Sequence, residues 1–418
     1  MPNRKSGGAV IRMKENNFSV LSPGVTLLAG TEELSCCPDQ VYAERTICFL
    51  NHVSEVVRGL DREETTQELK SLGFWLRSAH LYKLKDAYEQ QNKGIKLGRG
   101  LCFHIAPSNV PLLFFYSCAI GLLAGNSCLV RISGRCTQAD LQLCRLLESI
   151  LQTPGFSYMK ERISLIQCDR ENTEAIEYFS ANCDARIIWG GDETIRRIRT
   201  IPLMASATEL VFPDRWSMTV LDAEAILALT EQELETLAAH FWNDTYSMDQ
   251  NACSCPKAVY WQEDFPAKGE IASKRFWEAV SKAADRYDLT ETKVSQKYAN
   301  LWEIAGLADN LCKMRRWGNR LYVVQMSSPS ISFAVERLQF GMFMEYHMTA
   351  KEEWADAVTQ KVQTLTYFGM ERDKLAEVVR SRNLKGVSRI VPVGQALWME
   401  TNWDGIDMIG QLSRRLCE

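Results

Sequence analysis

The chain has 418 residues, 46% hydrophobic and 24% charged, a globular composition too long for one ordinary core, so two or three domains are expected. A net charge of −4 supplies no basic field and excludes a nucleic-acid binder that works by neutralising phosphates. Fourteen cysteines scattered along a chain with no signal-peptide pattern point to a reducing cytoplasm, and five histidines without a Cys-x-x-Cys argue against structural zinc.

After a basic, Gly-containing start (Met1–Gly8), the pattern predicts a strand around Phe18–Leu28. Two helices follow, Pro38–Leu60 and Glu63–Gln90, from apolar residues three and four apart. Residues 1–97 carry no recognisable chemistry and read as a helical region packing around or between subunits.

From Gly98 the texture becomes strand, helix, strand, helix: Leu101–Ile105, an apolar helix ending at Ala124-Gly125-Asn126, Ser127–Ile132, then a helix opened by Ser133-Gly134-Arg135 and running to about Gln152. That alternation predicts a parallel sheet with crossovers. The apolar run Val110–Gly125 contains Pro111 and is too short for a bilayer, so it predicts a buried helix, with Gly125 past its end. Ile163–Gln167 and Ala185–Trp189 are the next strands, separated by a helix over Glu171–Ser180. Gly190-Gly191 at a strand end before a helix is a place for a phosphate or nicotinamide, or simply a turn, and GxGxxG is absent. His104, within a buried strand, reads as a core histidine.

Ser217–Leu221 predicts a strand and Ala223–Phe241 an amphipathic helix leading into Asp249-Gln-Asn-Ala-Cys-Ser-Cys-Pro256. Beyond it a second α/β domain is expected, with strands at 258–261 and 321–325 and helices near 269–287 and 351–362. The domain boundaries so read are 1–97, 98–215 (cofactor), 216–385 (catalytic) and 386–418 (a tail returning to the cofactor region).

Pro256 breaks the backbone, so Cys253 and Cys255 are presented by a turn, and small neighbours leave room at the sulfur. One reading is a nucleophile that carries an acyl group; the other is a pair of buried structural thiols. Cys253 has the Gln-x-Ala context, whereas Cys255 directly precedes Pro256.

Pro107-Ser-Asn109-Val-Pro111, Ala124-Gly-Asn126 with a basic residue soon after, and the cysteine turn resemble the aldehyde dehydrogenase superfamily. The resemblance implies an α/β fold with a Rossmann-type cofactor domain, an α/β catalytic domain and a small oligomerisation extension. It implies Asn109 as an oxyanion donor, Pro107 in the same turn, Arg131 (where the family has Lys) at the cofactor ribose, and Gly190-Gly191 beside the nicotinamide. Where the family's general-base segment reads Leu-Glu-Leu-Gly-Gly-Lys, only Thr208-Glu209-Leu210 stands. Glu209 thus reads either as an activator of water or CoA departure or as a solvated strand-end carboxylate.

From about Gly98 onward, Asp-Gln-Asn-Ala-Cys-Ser-x-Pro and the tail Gly386-Val-Ser-Arg-Ile-Val-Pro-Val-Gly394 with Trp403-Asp-Gly-Ile-Asp407 are similar to the LuxC-type acyl-CoA reductases. This implies reduction of a long-chain acyl-CoA to a fatty aldehyde through a Cys253 thioester, with Asn109 and the Cys253 N–H facing the oxyanion. It also implies an acyl-protein synthetase partner and a homo-oligomer. Ser133 and Arg135 lie where many NAD-dependent relatives carry a Glu that rejects a 2′-phosphate; an Arg in place of an acid suits bidentate phosphate binding and predicts NADPH. Arg131 and Arg135 have an alternative reading as ordinary surface arginines. The rival functions are an aldehyde dehydrogenase running towards acid, which needs Glu209, and a non-catalytic scaffold.

Overall fold

A computed structural model describes residues 17–61, 65–107, 110–331, 334–348 and 350–416. The chain forms two compact units, 1–213 with 406–418, and 214–405. The expected tail therefore divides: only its last residues rejoin the first unit, because Arg389–Pro392 is a hydrogen-bonded edge strand of the second unit's sheet.

In the first unit, β1 (Val25–Gly30), β2 (Leu101–Ile105), β3 (Ser127–Ile132), β4 (Ile163–Cys168), β5 (Ala185–Trp189) and β6 (Thr208–Phe212) form one sheet in the order β1-β4-β3-β2-β5-β6. Neighbours are parallel except β1, which runs antiparallel to β4 along the edge. The chain builds outward from β2 to β4, then returns to the other side of β2 as β5. That reversal opens a crevice at the carboxyl ends of β2 and β5, the place where open α/β sheets bind ligands.

The expected strand around 18–28 is two pieces, Asn17–Ser19 and β1, because Pro23 and Gly24 (φ +71°) turn the chain between them. The expected helix over 63–90 begins on residues outside those described and is otherwise two helices, α2 (Gln67–Trp75) and α3 (Ser78–Gln91), following α1 (Glu44–Arg58). The break at Leu76-Arg77 hides from periodicity because Leu76 stays buried; the freed Ser78 N–H donates instead to Asn51 Oδ1 at 2.8 Å. Helix α4 (Leu113–Leu123) is buried, as its apolar run requires. Helix α5 starts at Gln138 (Gln138–Leu151), not at Ser133, because Thr137 and Asp140 close a capping box there and leave 133–136 as a loop. Among the described residues no helix is long and apolar enough to cross a membrane.

The Ala124-Gly125-Asn126 motif has a local cause. Gly125 adopts φ +87°, and a Cβ there would come 2.3 Å from the Asp39 carbonyl oxygen. Fully buried Asn126 accepts from Arg99 N (2.7 Å) and Gly100 N (3.1 Å) and donates to Gly121 O (3.2 Å) and Leu412 O (2.9 Å). One amide thus ties the end of α4, the start of β2 and the returning tail.

In the second unit, β7 (Trp216–Asp222), β8 (Pro256–Gln262), β9 (Leu311–Trp317), β10 (Leu321–Met326), β11 (Met342–His347), β12 (Val362–Phe368) and β13 (Arg389–Pro392) are ordered β9-β10-β11-β8-β7-β12-β13. All neighbours are parallel except the edge strand β9. Alternate residues feed cores on the two faces: Met218, Val220, Ala258 and Tyr260 on one, Leu221, Val259, Trp261 and Phe343 on the other. This two-sided burial is what a parallel sheet requires. The helix expected at 223–241 is interrupted, its longer part being α6 (Glu231–Thr245) capped by Thr230 and Glu233. The helix expected near 351–362 is absent: Glu352 turns left-handed (φ +67°), a short 3-10 turn follows, and β12 begins at Val362. Its Thr364 and Thr366 suit the pleated centre of a sheet, where tertiary pairing overrides local helix propensity.

Replacing Asn126 by Ala strands the buried Arg99 and Gly100 N–H groups and is expected to lower stability by about 2–4 kcal/mol in urea denaturation.

Candidate active site

The first unit's crevice is built from strand ends. Pro107 follows β2, partly buried, and Gly190-Gly191 follow β5, so the parallel register of β2 with β5 (Ile105 opposite Ile188) brings these backbones to one edge. Asn109 lies outside the described residues. At the start of α4, the Leu112 N–H donates to Asp140 Oδ1 at 2.7 Å. Leu112 holds φ +61° at the start of α4, a conformation a branched side chain adopts only under such restraint. Beneath the crevice, Ser117 Oγ lies 2.8 Å from His104 Nδ1 and accepts from Trp189 Nε1 at 3.0 Å. Burial pushes His104 down to about 3, so it is a neutral core residue, as expected.

Of the basic candidates, Arg131 is buried at the end of β3, its Nε donating to the Cys168 carbonyl at 3.0 Å across the end of β4. Burial pulls its guanidinium below the usual range. Arg135 is exposed, in the loop between β3 and α5, where its N–H donates to Ser133 Oγ at 3.3 Å. A Cβ on neighbouring Gly134 would meet only Gln167, at 4.0 Å, so this loop is open. The helix after Gly191 (Asp192–Arg199) carries Asp192 and Glu193 in its first turn. Those charges disfavour a phosphate at that helix start.

Glu209 is partly exposed and does not stand at the crevice. It stands near the amino end of β6, in register with Arg186 of β5, whereas the crevice opens at the carboxyl ends. Its carboxylate accepts from buried Arg186 (Nε, 2.8 Å, and Nη2) and pairs with Arg199 Nε at 3.0 Å. Arg186 also donates to Ser180 Oγ and the Ile201 carbonyl, closing a structural network.

The cysteine turn belongs to the second unit, at the amino ends of β7, β8 and β12. Asp249 and Gln250 both adopt left-handed backbone (φ +52° and +58°), at roughly 1–2 kcal/mol each. What offsets this is the motif's own side chains. Buried Gln250 Oε1 accepts from Gly341 N (2.7 Å) and Met342 N (3.2 Å), while its Nε2 donates to Met342 O (3.1 Å). Asp249 takes Tyr287 Oη and Lys293 Nζ (3.0 Å). Lys257 Nζ, buried and pulled down to about 8, donates to the carbonyls of Gln250 and Leu338.

The Cys255 N–H closes the turn on Ala252 O at 3.0 Å, placing Cys253 and Ser254 at its tip. Ser217 Oγ donates to Cys253 O (2.8 Å) and accepts from Thr364 N (3.1 Å), clamping the tip between β7 and β12. Cys253 is partly exposed; Cys255 is fully buried. Burial of the sulfur, then the Asp404 carboxylate, push the Cys253 thiol up to about 12. Gln363 Nε2, 3.2 Å from Sγ, pulls the other way, as do the Cys253 and Ser254 backbone amides.

Two partners of that sulfur escape a sequence reading. Gln363 opens β12, in a segment whose pattern predicts the end of a helix. Asp404 does carry a signal, the Trp403-Asp404-Gly405 motif, but spacing alone says nothing of its destination. The rest of the tail motif packs nearby: Arg389 donates to the carbonyls of Gln395, Ala396 and Trp398, and Asp244 accepts from Gly394 N (2.6 Å) and Ala396 N (2.9 Å).

The fold is that of the aldehyde dehydrogenases. Similar solved structures include an NAD-dependent aldehyde dehydrogenase from Sinorhizobium meliloti (11% identity, TM-score 0.64, covering 89% of this chain and 80% of that one). A 1-pyrroline-5-carboxylate dehydrogenase from Thermus with bound NAD is alike at 11% identity and TM-score 0.61, over 89% and 82% of the two chains. Within this fold, the chain belongs to the acyl-CoA reductase (LuxC) family, whose model matches residues 76–415. It is also 26% identical over 196 residues to the long-chain acyl-protein thioester reductase of Vibrio harveyi, a match spanning 46% of this chain and only 39% of that protein.

With its thiol raised to about 12, Cys253 is expected to alkylate about tenfold faster per pH unit from 7 to 10, without a plateau. A plateau near pH 8.5, read by peptide-resolved iodoacetamide kinetics, contradicts the burial of the sulfur. Glu209→Gln is expected to lower stability by about 1–3 kcal/mol, measured by denaturant titration, since it leaves buried Arg186 facing a neutral amide.

Proposed function

We propose that the chain reduces a long-chain fatty acyl thioester, acyl-CoA or acyl-protein, to the aldehyde through an acyl group carried on Cys253. The observation that supports this most is the Cys253 turn itself: a family-typical motif strained into shape and clamped so that one cysteine, partly exposed as a residue, stands at its tip. Cys255, fully buried behind it, is the weaker candidate.

In the forward reaction the Cys253 sulfur attacks the thioester carbonyl, its bond to carbon forms, and the C–S bond to CoA breaks, the Cys253 proton passing to the departing sulfur so that CoA leaves as the thiol. The Cys253 N–H is assigned to the oxyanion of the tetrahedral intermediate, a role typically worth about 10²–10³ in rate per donor, and Asn109 carries the donor role by family likeness alone. The packed surroundings of the sulfur keep water from the acyl-cysteine, which would otherwise hydrolyse to acid. The first unit's crevice suits a nicotinamide cofactor: Pro107 and Gly190-Gly191 offer backbone and no bulky side chain, Arg131 lies at the end of β3, and Ser133 and Arg135 follow in the loop after it. When bound, the cofactor would supply the hydride for the acyl carbon, whose bond to Cys253 Sγ breaks as the aldehyde leaves and the sulfur is released as a thiolate. Exposed Arg135 on an open loop, with no acid beside it in sequence, favours NADPH through its 2′-phosphate.

The alternative direction, aldehyde to acid, requires a carboxylate free to activate water; Glu209 is bound by two arginines instead. That bonding supports a structural role for Glu209. The absence of disulfides among the described cysteines fits a cytoplasmic enzyme. An acyl-protein synthetase partner and a homo-oligomer remain part of the proposal by family likeness.

Purified protein given long-chain acyl-CoA and NADPH is expected to oxidise cofactor and release aldehyde in equal amounts, and Cys253→Ala to do neither. Aldehyde oxidation in place of acyl-CoA reduction would overturn the direction. Arg135→Glu is expected to lower kcat/KM for NADPH at least about tenfold while sparing NADH; equal efficiency of the unaltered enzyme with both cofactors would remove the NADPH assignment.

A further inference from the structure

The sulfur of Cys253 has a neighbour whose orientation is itself controlled. Gln363 is buried at the start of β12, and its Nε2 stands 3.2 Å from Cys253 Sγ and 2.5 Å from Asp404 Oδ1. Its backbone is fixed: the carbonyl accepts from Ser388 N at 3.0 Å, and the next residue's N–H is held by Ser217 Oγ. What these bonds leave to be fixed is the side-chain amide. An amide carries two N–H donors on one side and a carbonyl acceptor on the other, so its two faces act oppositely on a thiol. With N–H towards sulfur the thiolate is favoured; with C=O towards sulfur the S–H is favoured.

The carbonyl side has a motive to turn. Gln363 Oε1 is buried without a hydrogen-bond partner, and a reversed amide would gain the thiol proton as a donor. Asp404 prevents this. A buried carboxylate 2.5 Å from the amide nitrogen is an acceptor, and the reversed amide would set oxygen against oxygen. Burial pushes the Asp404 carboxyl up; Arg215, with Nε 3.3 Å from Oδ2, and the Gln363 amide oppose that and favour the anion. Arg389, which stacks over Trp403 at 5.5 Å and lies within electrostatic reach of Cys253, is the other cation of the cluster.

We propose that Asp404 is a positioning residue for the nucleophile: it locks the Gln363 amide with one N–H on its own carboxylate and the other on Cys253 Sγ. The tail motif Trp403-Asp404-Gly405 thereby has a chemical task at the cysteine turn. The claim rests on the reading of Cys253 as the acyl carrier, and it goes beyond that reading by naming what holds the sulfur ready. Two influences of Asp404 oppose each other. Its charge disfavours a thiolate nearby, whereas its hold on Gln363 favours one, and the two predict opposite outcomes on removal.

The test is peptide-resolved alkylation of Cys253 by iodoacetamide at pH 8 in the full chain, with exposed Cys312 of the same unit as internal reference. Asp404→Ala removes the amide's acceptor and is expected to slow Cys253 alkylation roughly ten- to hundredfold, with Cys312 unchanged. Asp404→Asn retains an acceptor oxygen without the charge and is expected to restore most of the rate. Gln363→Ala is expected to match Asp404→Ala, and the double variant to be no slower than either, because Asp404 acts through Gln363. The proposal is overturned if Asp404→Ala alkylates as fast as or faster than the unaltered protein, or if the two losses add. A changed Cys312 rate would mark general disruption; Asp404→Asn, which preserves shape, then decides, and a rate there as low as in Asp404→Ala also overturns the proposal. In parallel, acylation of the unaltered protein by acyl-CoA tests the acyl-carrier reading separately, since alkylation reports the thiol whether or not acyl-CoA is a substrate.

Discussion

Everything proposed for the second unit depends on two consecutive residues held in left-handed backbone. Asp249 and Gln250 reverse the chain between α6 and β8, and neither is a glycine that would adopt this conformation freely. The conformation persists because their own side chains are bonded to partners distant in sequence. Gln250 satisfies the first backbone groups of β11, and Asp249 is gripped by Tyr287 and Lys293. Lys257 then ties the Gln250 carbonyl to that of Leu338. A reversal restrained by so many bonds leaves the following turn little freedom, which is what a sulfur meant to meet one carbonyl carbon requires.

The two units use opposite ends of their sheets. In the first, the change of direction between β4 and β5 opens a crevice at the strands' carboxyl ends, where Pro107 and Gly190-Gly191 leave backbone uncovered. In the second, the cysteine turn stands at the amino ends of β7, β8 and β12, held by Ser217, Gln363 and the tail. The alternation of strand and helix is the same in both, so the fold class alone names neither site. What separates them is which loops carry strain and buried polar groups.

Much of this was legible in the sequence, for identifiable reasons. Buried parallel strands such as Ser127–Ile132 and Ala185–Trp189 are short apolar runs bounded by turns, and they emerged as read. The all-apolar α4 and the glycine past its end were equally visible. The break between α2 and α3 was not, because Leu76 keeps the apolar rhythm through it. The segment 351–362 has helical propensity that the sheet overrides. At the site, the cysteine motif announced itself through Pro256 and its small neighbours. Glu209 could be picked out as a candidate, but not its arginines, since Arg186 and Arg199 reach it only through strand pairing and the helix that follows β5. Gln363 was invisible for the same reason: a lone glutamine gains meaning only when β12 is laid beside β7.

The acyl-cysteine is a covalent species, so the reaction is tested by looking for the bond. The protein is incubated with long-chain acyl-CoA in the absence of any reduced nicotinamide, then digested and mapped by mass spectrometry. An acyl adduct on the peptide containing Cys253, absent from Cys253→Ala, is the predicted result. An adduct confined to Cys255, or none across several chain lengths, would contradict it.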